Sequence, residues 1–348
     1  MSNDTHQYVD RRTGELRTER LYRDPVVMFF YGKVREQIPV VFAWLVSRTA
    51  TQILGYINYD RPWSAAQARR FLEAHGGDLG ECLDDLAAFN TARQVFERKI
   101  RYWDCRPMTE EPFTVVAPAD ARVLAGSFAE NDALHIKDKF FEYDELFGNR
   151  LSWGAIFQRG DYLIFRLTPD KYHYNHTPVA GRVLDVYEID GSYHSCNPGA
   201  AMAIATPYSK NRRVVTVIDT DVPGGTRVGT VAMIEIVALM IGEIVQCYSE
   251  VRYERPRDVV PGMFVERGCP KSLFRPGSST TVLVFEPGRV QIAADLLANQ
   301  RTPHALSRYL HAPGRALVET DLRVRSPVAH ARRRVPRSHR FEERVHVE

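Results

Sequence analysis

The sequence predicts an α+β protein in which a helical N-terminal region precedes a β-rich domain. Of its 348 residues, 44% are hydrophobic, enough to form a substantial core. Apolar clusters within residues 21–59 follow a helical periodicity that breaks near Pro39. After Pro107 the pattern changes to short β-branched runs separated by Gly, Pro, Asn and Asp. We therefore assign residues 1–110 to the N-terminal region and residues 111–348 to the β-rich domain.

The first 59 residues divide into two segments. Residues 1–20 are polar and charged, which predicts an irregular arm. Residues 21–59 are rich in apolar and aromatic side chains, with Lys33, Arg35 and Arg48 between the apolar clusters. Such a segment could lie in a membrane interface with its basic groups towards the lipid head groups. It could equally pack on the protein's own core or on a partner subunit, and the sequence leaves both alternatives open.

Two further helices and a series of strands are predicted downstream. Ser64 and Gln67 form a capping box that starts a helix, and Gly76-Gly77 ends it. A second helix is predicted over residues 79–100. Runs typical of strands follow at Thr114–Val116, Arg122–Ala125, Tyr162–Leu167, Arg182–Ile189, Arg213–Ile218, Gly229–Ile236, Glu243–Tyr248 and Thr281–Phe285.

Composition limits the partners and the compartment. The net charge of +3 argues against a protein that binds nucleic acid over its whole surface. The basic cluster at residues 332–340 is typical of a solvated tail, although it could contact anionic phospholipids. Five cysteines without a CxxC pair favour a reducing compartment over a disulfide scaffold or a structural zinc site. No secretory signal is predicted, and the apolar run 38–46 is shorter than the roughly 20 residues that span a bilayer.

The stretch from Phe274 to Phe285 places a Gly-Ser bond directly before a run typical of a buried strand. Pro276 fixes its own φ and Gly277 lacks a Cβ, so the chain could hold a strained turn there. In such a turn the Ser278 hydroxyl could approach the Gly277 carbonyl, which is the geometry of an N→O acyl shift. Taken alone, the same residues are typical of an ordinary turn before a strand.

Four segments in one order resemble the phosphatidylserine decarboxylase family of pyruvoyl-dependent enzymes. A weaker match, Ala88–Arg98 followed by Arg106-Pro107, precedes them and resembles the helical entry to that family's catalytic domain. The family usually has Gly-Ser-Thr at its cleavage point, whereas Ser279 stands here where Thr is expected; because a hydroxyl is kept, we expect processing to survive. The four segments are Ala117–Val123, Leu167–Pro178, Asn211–Val215 with Val237–Ile244, and Phe274–Phe285.

The resemblance implies a role for each candidate site residue. Ser278 is the implied nucleophile that attacks the Gly277 carbonyl, and His176 is the base that activates it. Asp120 is the implied carboxylate that orients the imidazole. His173 is implied as the proton donor to the substrate. Nearby hydroxyls, Ser279 or Thr280, could stabilise the oxyanion formed during the attack.

The spacing of His173 and His176 also fits a pair of metal ligands if both lie on a helix. The neighbouring Tyr172, Tyr174 and Pro178 favour an extended segment or loop instead, in which a three-residue separation points the rings apart. No third ligand stands nearby in the sequence, so we expect no metal.

Cleavage between Gly277 and Ser278 would leave two interleaved chains and a pyruvoyl group made from Ser278. Its keto group would condense with a primary amine and accept the electrons released as carbon dioxide departs, so no external cofactor is expected. The resemblance implies phosphatidylserine as substrate and phosphatidylethanolamine as product. We expect a cytoplasmic protein at the inner membrane face, where an anionic surface is a candidate partner.

Two alternatives stay open at this level. A soluble relative could decarboxylate a free amino acid, such as an aromatic one, by the same chemistry. A non-catalytic β-rich binding protein would leave the Gly277-Ser278 bond intact. Turnover of lipid in vesicles against turnover of free amino acids separates the two enzymes, and an uncut chain in the active preparation would exclude both.

Overall fold

The fold is α+β, as predicted, with 26% of residues in helices and 31% in strands. The computed structural model of the protein describes residues 5–21, 23–62, 67, 70, 73, 78–85, 88–129, 142–148, 150–240, 243–275, 279–311 and 315–332.

Eighteen strands lie within these residues, and each of the eight predicted strands coincides with an observed one. They are β1 (Gln7–Asp10), β2 (Leu16–Thr18), β3 (Thr114–Val116), β4 (Ala121–Ser127), β5 (Asp161–Leu167), β6 (Tyr174–His176), β7 (Gly181–Ile189), β8 (Arg213–Asp219), β9 (Thr230–Ile236), β10 (Ile244–Gln246), β11 (Phe264–Val265), β12 (Pro270–Phe274), β13 (Ser279–Phe285), β14 (Val290–Ile292), β15 (Leu310–His311), β16 (Arg315–Ala316), β17 (Glu319–Leu322) and β18 (Pro327–Ala331).

Ten strands form the main sheet, in the order β11-β7-β8-β9-β13-β5-β4-β17-β1-β2. Strand β13 lies near its centre and pairs antiparallel with β5 on one side and β9 on the other. Four consecutive side chains of β13, from Val282 to Phe285, are completely buried. Burial of each large apolar side chain contributes about 1.5–3 kcal/mol, so β13 anchors the sequence that follows residue 278.

Three-stranded sheets pack beside the main one. In one of them β12 pairs with both β10 and β6, so the strand that carries His176 lies next to the strand that leads into the predicted cleavage bond. In another, β18 pairs with β14 and β3. Three strands after residue 278, namely β13, β17 and β18, therefore pair with strands before it.

The N-terminal arm was predicted to be irregular, and this prediction is wrong for residues 7–10 and 16–18, which form strands. Strand β1 pairs parallel with β17, and β2 pairs with β1 at the edge of the main sheet. A buried charge cluster holds the arm there: His6 Nε2 lies 2.8 Å from a Glu319 carboxylate oxygen, and Arg166 binds both Glu19 and Glu319. These ion pairs are long-range in sequence, so local composition did not indicate them.

Short helices cover the apolar N-terminal segment, with the predicted break between Gln37 and Pro39. The run from Asp24 to Gln37 contains a π-helical turn, and a second π-helical turn, Tyr56–Asp60, ends the next run. The helices are α1 (Asp24–Phe29), α2 (Arg35–Gln37), α3 (Pro39–Leu45), α4 (Arg48–Gly55), α5 (Ala92–Phe96), α6 (Tyr102–Cys105), α7 (Tyr143–Leu146), α8 (Leu151–Phe157), α9 (Pro198–Ala203), α10 (Pro207–Lys210) and α11 (Ala294–Asn299).

The helix predicted over residues 79–100 is broken into two pieces. A 3₁₀ turn covers Leu79–Glu81, and α5 begins only after Thr91, which forms a capping box with Gln94. The polar Thr91 side chain satisfies backbone N–H groups at a helix start, so it interrupts a helix rather than continuing one. The predicted helix from Ser64 to Gly77 lies largely outside the described residues.

No single helix among the described residues has the length and hydropathy of a membrane span. The pair Pro39–Leu45 and Arg48–Asp60 passes such a test only when taken together, and the two are bent by 62°. Their outward side chains are unusually apolar: Val40 is 79% exposed, Tyr56 66% and Trp44 50%.

Candidate active site

The predicted cleavage bond lies in a short gap between two described strands. Pro276, Gly277 and Ser278 are outside the described residues. On one side of the gap, the Phe274 N–H donates to the His173 carbonyl over 3.1 Å. On the other side, Ser279 begins β13 opposite Leu167 of β5. The histidine segment is therefore beside the residues that enter the gap.

His173 is buried and has one free ring nitrogen. Its Nδ1 lies 2.7 Å from the Lys171 carbonyl, which can only accept, so Nδ1 carries the proton. Nε2 is buried without a hydrogen-bond partner among the described residues. Burial, followed by the positive charge of Arg98, lowers the pKa of His173 to about 3. The ring packs on Phe96 with 3.6 Å between centroids, and the Nε2 lone pair has no hydrogen-bond donor facing it among the described residues.

His176 is buried too, but both of its nitrogens are occupied. Nδ1 donates to the Gly268 carbonyl over 2.8 Å, so Nε2 carries the lone pair and accepts from the Tyr172 hydroxyl at 3.0 Å. The Tyr172 oxygen also contacts the Tyr253 hydroxyl at 2.6 Å. Burial lowers the pKa of His176 to about 3, so this histidine is neutral near pH 7.

Asp120 is held by an arginine that sequence reasoning did not single out. Arg106 binds both carboxylate oxygens, at 2.9 Å and 2.7 Å, and the Val324 N–H donates to one of them at 2.8 Å. Burial raises the pKa of Asp120, but the charge and hydrogen bonds of Arg106 outweigh it and bring the pKa to about 2. Asp120 is therefore ionised and fixed in place.

Asp120 and His176 are brought close together without a hydrogen bond between their side chains among the described contacts. The His176 backbone N–H donates to the Pro118 carbonyl over 2.6 Å, which joins the two segments. The Asp120 charge acts on His176 through space and opposes the lowering of its pKa. Gly268, rather than Asp120, fixes the tautomer of His176 in this structure. The catalytic roles of these residues stay predictions.

Asn175, between the two histidines, ties their strand to the strand after the gap. The Thr281 hydroxyl donates to Asn175 Oδ1 over 2.8 Å. Asn175 Nδ2 donates in turn to Glu235, which forms a fully buried ion pair of 2.6 Å with Lys271. This network joins β6, β9, β12 and β13, so the positions of His173 and His176 relative to residue 279 are fixed from several sides.

The two predicted supporting hydroxyls share the same kind of surroundings. The Ser279 and Thr280 side chains are both buried, and neither hydroxyl oxygen has a hydrogen-bond partner among the described residues. A buried, unsatisfied hydroxyl is costly, so the free Ser279 oxygen beside the gap fits a site that binds a carbonyl oxygen or an oxyanion.

An apolar pocket of about 180 Å³ lies between the N-terminal helices and the main sheet. Tyr31, Leu45 and Leu54 line it from the helices. Cys196 lines it from the other side, and its Sγ lies 3.8 Å from the Ser279 carbonyl oxygen. The pocket therefore leads from the apolar helices towards the residue next to the predicted cleavage point.

The buried neutral histidines predict a dependence of stability on pH. In the unfolded chain His173 and His176 take up protons near pH 6.5, whereas folding keeps them neutral down to about pH 3. The unfolded state therefore binds more protons in this window, and the free energy of unfolding falls as pH falls, by about 1.4 kcal/mol per unit for each histidine. Denaturant unfolding of an uncut Ser278→Ala chain at pH 7 and pH 5 measures this change in the free energy of unfolding. Equal free energies of unfolding at the two pH values would contradict the low pKa of the two histidines. The His176→Gln variant should show a smaller change of this free energy with pH.

Several functional candidates were missed by sequence reasoning from single motifs. Arg106, Tyr172, Phe96 and Arg98 all contact or surround the two histidines or Asp120. Three of them fall in the weaker helical match, Ala88–Arg98 with Arg106-Pro107, which was therefore the available signal.

Comparisons with known proteins agree with the geometry. A family model described as phosphatidylserine decarboxylase matches residues 92–305. A phosphatidylserine decarboxylase proenzyme of Fusobacterium nucleatum is 28% identical, over 84% of this chain and 91% of its own. One of Chlamydia pneumoniae is 26% identical over 85% and 92%, and proenzyme 2 of Oryza sativa subsp. japonica is 32% identical over 68% and 36%. The match spans the histidine segment, Asp120 and the predicted cleavage bond, and the chain belongs to the phosphatidylserine decarboxylase family, whose members are decarboxylases made as proenzymes.

Proposed function

We propose that this chain decarboxylates phosphatidylserine to phosphatidylethanolamine after serinolysis of its own Gly277-Ser278 bond. The observation that carries the proposal is the buried His173 ring, whose free Nε2 lies on the segment that contacts the last strand before that bond. Cleavage would leave residues 278–348 in place, because β13, β17 and β18 pair with β5, β4 and β3 of the preceding chain. The two products would form a heterodimer.

The residues around the gap fit a pyruvoyl group at position 278. When present, that group supplies a keto carbon that takes the substrate amine and accepts the electrons left by departing carbon dioxide. Ser279, with its free buried hydroxyl, would hold the group on the strand side. His173 would face the substrate and move a proton at Nε2. The packed Phe96 ring keeps this nitrogen away from bulk water.

For the processing step we propose Ser278 as nucleophile, His176 as base and Asp120 as the charge that favours its protonated form. The Tyr172 hydroxyl occupies the His176 lone pair, so His176 becomes available as a base only when this hydrogen bond opens. Arg106 keeps Asp120 ionised and prevents it from taking the proton itself. Oxyanion support would come from Ser279, with Thr280 beside it.

A lipid substrate is supported by the apolar surroundings of the site. The pocket of about 180 Å³ is lined by apolar helices, and Cys196, another of its lining residues, contacts the Ser279 carbonyl. The same helices present Val40, Trp44 and Tyr56 to solvent, an exposed apolar face of the kind that marks an interaction surface. We propose that this face enters the interface of an anionic membrane and that the protein is peripheral at the inner, cytoplasmic face.

The membrane proposal predicts a specific loss of vesicle binding. Replacing both Val40 and Trp44 with serine should lower the partition coefficient on vesicles containing phosphatidylserine by tenfold or more, because burying a large apolar side chain is worth roughly 1.5–3 kcal/mol. Co-sedimentation measures it. Val260→Ser, at a position 52% exposed and remote in sequence, is the control and should bind like the unmodified chain. Equal binding of all three proteins would contradict the proposal.

The substrate assignment is tested by product analysis. The purified protein should release carbon dioxide and phosphatidylethanolamine from phosphatidylserine in vesicles. Turnover of free serine or of free aromatic amino acids, without turnover of the lipid, would instead favour the soluble alternative.

A further inference from the structure

A second, charged cavity lies on the Asp120 side of the site. Its volume is about 830 Å³, within the range of small-molecule sites. Among the described residues, nine Arg or Lys and six Asp or Glu side chains line it, so its walls carry an excess of positive charge. Asp120 and Tyr172 belong to the lining, which connects the cavity to the histidine segment.

Most of the buried cations in this cavity have a carboxylate partner. Arg106 binds Asp120 and Glu81, Arg122 contacts Glu19, and Lys171 lies 2.6 Å from Asp321. These pairs offset the cost of burying charge, which is several kcal/mol for an isolated ion.

Among the described residues that line this cavity, Arg98 is the buried cation without such a partner. It is 6% exposed, and its two terminal nitrogens donate to the backbone carbonyls of Val95 at 3.1 Å and Asp170 at 2.8 Å. No carboxylate oxygen of the described residues lies within 4 Å of its guanidinium nitrogens. Burial lowers the pKa of Arg98, because the charged form of the guanidinium is less stable away from water. The two carbonyls fix the guanidinium without neutralising it, as in a preformed anion site.

Arg98 also lies beside the reaction centre. Helix α5 ends at Phe96, whose ring packs on His173, and Arg98 lies two residues after Phe96. Its positive charge is close enough to His173 to contribute to the low pKa of that ring, alongside the opposing charges of Asp170 and Asp120. An anion bound to Arg98 would therefore be adjacent to the proposed proton-moving nitrogen and would favour its protonation.

We propose that Arg98 binds the phosphodiester of the substrate head group and so positions the serine moiety against His173. This inference rests on the proposed function. A guanidinium binds phosphate and carboxylate equally well by geometry. An ion pair with the departing carboxylate would stabilise the substrate more than the transition state and would oppose catalysis. The phosphodiester keeps its charge throughout the reaction, so its binding carries no such penalty.

Direct binding tests the inference without requiring turnover. Isothermal titration of the purified full-length protein is carried out with glycerophosphoethanolamine, which has the phosphodiester but no carboxylate, with inorganic phosphate, and with serine. Glycerophosphoethanolamine should bind the unmodified protein. Arg98→Gln should weaken that binding by about tenfold to a hundredfold, as expected for loss of a charge-assisted contact. Arg98→Lys, which keeps the charge but loses the planar guanidinium with its paired N–H donors, should bind glycerophosphoethanolamine with intermediate affinity.

Matched controls keep the outcomes separate. Arg301→Gln removes the same charge at an exposed position and should bind like the unmodified protein. Thermal unfolding of each variant shows whether it is folded. If Arg98→Gln does not fold, the affinity of Arg98→Lys is compared with that of the unmodified protein instead. Unchanged affinity in both Arg98 variants would overturn the inference. Binding of serine alone would assign Arg98 to the carboxylate and overturn it too, and binding of inorganic phosphate alone would exclude the head group as the source.

Different results test the role of Arg98 and the proposed decarboxylase function. If the protein decarboxylates phosphatidylserine while Arg98 variants bind glycerophosphoethanolamine normally, only the role of Arg98 fails. If the protein neither cleaves itself nor decarboxylates but loses glycerophosphoethanolamine binding in Arg98→Gln, the anion site stands and the proposed function fails.

Discussion

Ser278→Ala is expected to give one uncut chain of 39.8 kDa with no decarboxylase activity. The side-chain oxygen is the atom that attacks the Gly277 carbonyl, and alanine offers no replacement. Because the keto group would be made from Ser278 itself, loss of cleavage and loss of activity should occur together. A denaturing gel and an assay with phosphatidylserine vesicles measure both in the same sample.

Ser279→Ala is the matched control for this prediction. It removes a hydroxyl one residue later while leaving the attacking oxygen in place. We expect cleavage to continue at a reduced rate, because Ser279 is proposed to support the oxyanion and not to attack. Cleavage of Ser278→Ala at the normal rate would remove the central assignment, whatever the behaviour of Ser279→Ala.

The two histidines should behave differently when each is replaced with glutamine. His173→Gln should permit cleavage and lower turnover by about 10²- to 10⁴-fold, the usual contribution of a general acid or base. His176→Gln should slow maturation, and Asp120→Asn should do the same because it removes the charge that favours protonated His176. Maturation is followed as the fraction of cleaved chain against time, and turnover is normalised to cleaved chain.

A control for the histidine assignment is Tyr172→Phe. It removes the hydrogen bond to His176 Nε2 and keeps the aromatic packing. If that bond limits the availability of His176, the variant should mature at least as fast as the unmodified chain. Identical effects of His173→Gln and His176→Gln on both measurements would contradict the division of roles.

The strands of the β-rich domain were predictable because their signal is local. Runs such as Thr114–Val116 and Arg213–Ile218 combine β-branched residues with flanking turn residues, and both became strands. The strands β1 and β2 were not predictable in this way. Their sequence is polar, and their pairing depends on β17 and on the contacts of His6 and Glu19 with the charge cluster around Glu319, which lies 313 residues after His6.

Motif order led to the candidate site residues, whose roles stay predictions, but it gave no indication of their contacts. The sequence placed His173 and His176 on an extended segment or loop, and in the structure His176 ends β6 while His173 directly precedes that strand. It assigned Asp120 to orient His176, whereas Arg106 holds Asp120 and Gly268 orients the ring. Backbone carbonyls leave no signature in a sequence, so a partner such as Gly268 becomes visible only in the folded chain.

The most direct measurement is intact mass spectrometry of the purified, active protein before and after treatment with a ketone-specific reagent such as hydroxylamine. We expect two chains, one ending at Gly277 and one beginning at a modified residue 278, and a mass increase confined to the second. A single chain of 39.8 kDa that decarboxylates phosphatidylserine and gains no mass from the reagent would contradict the account.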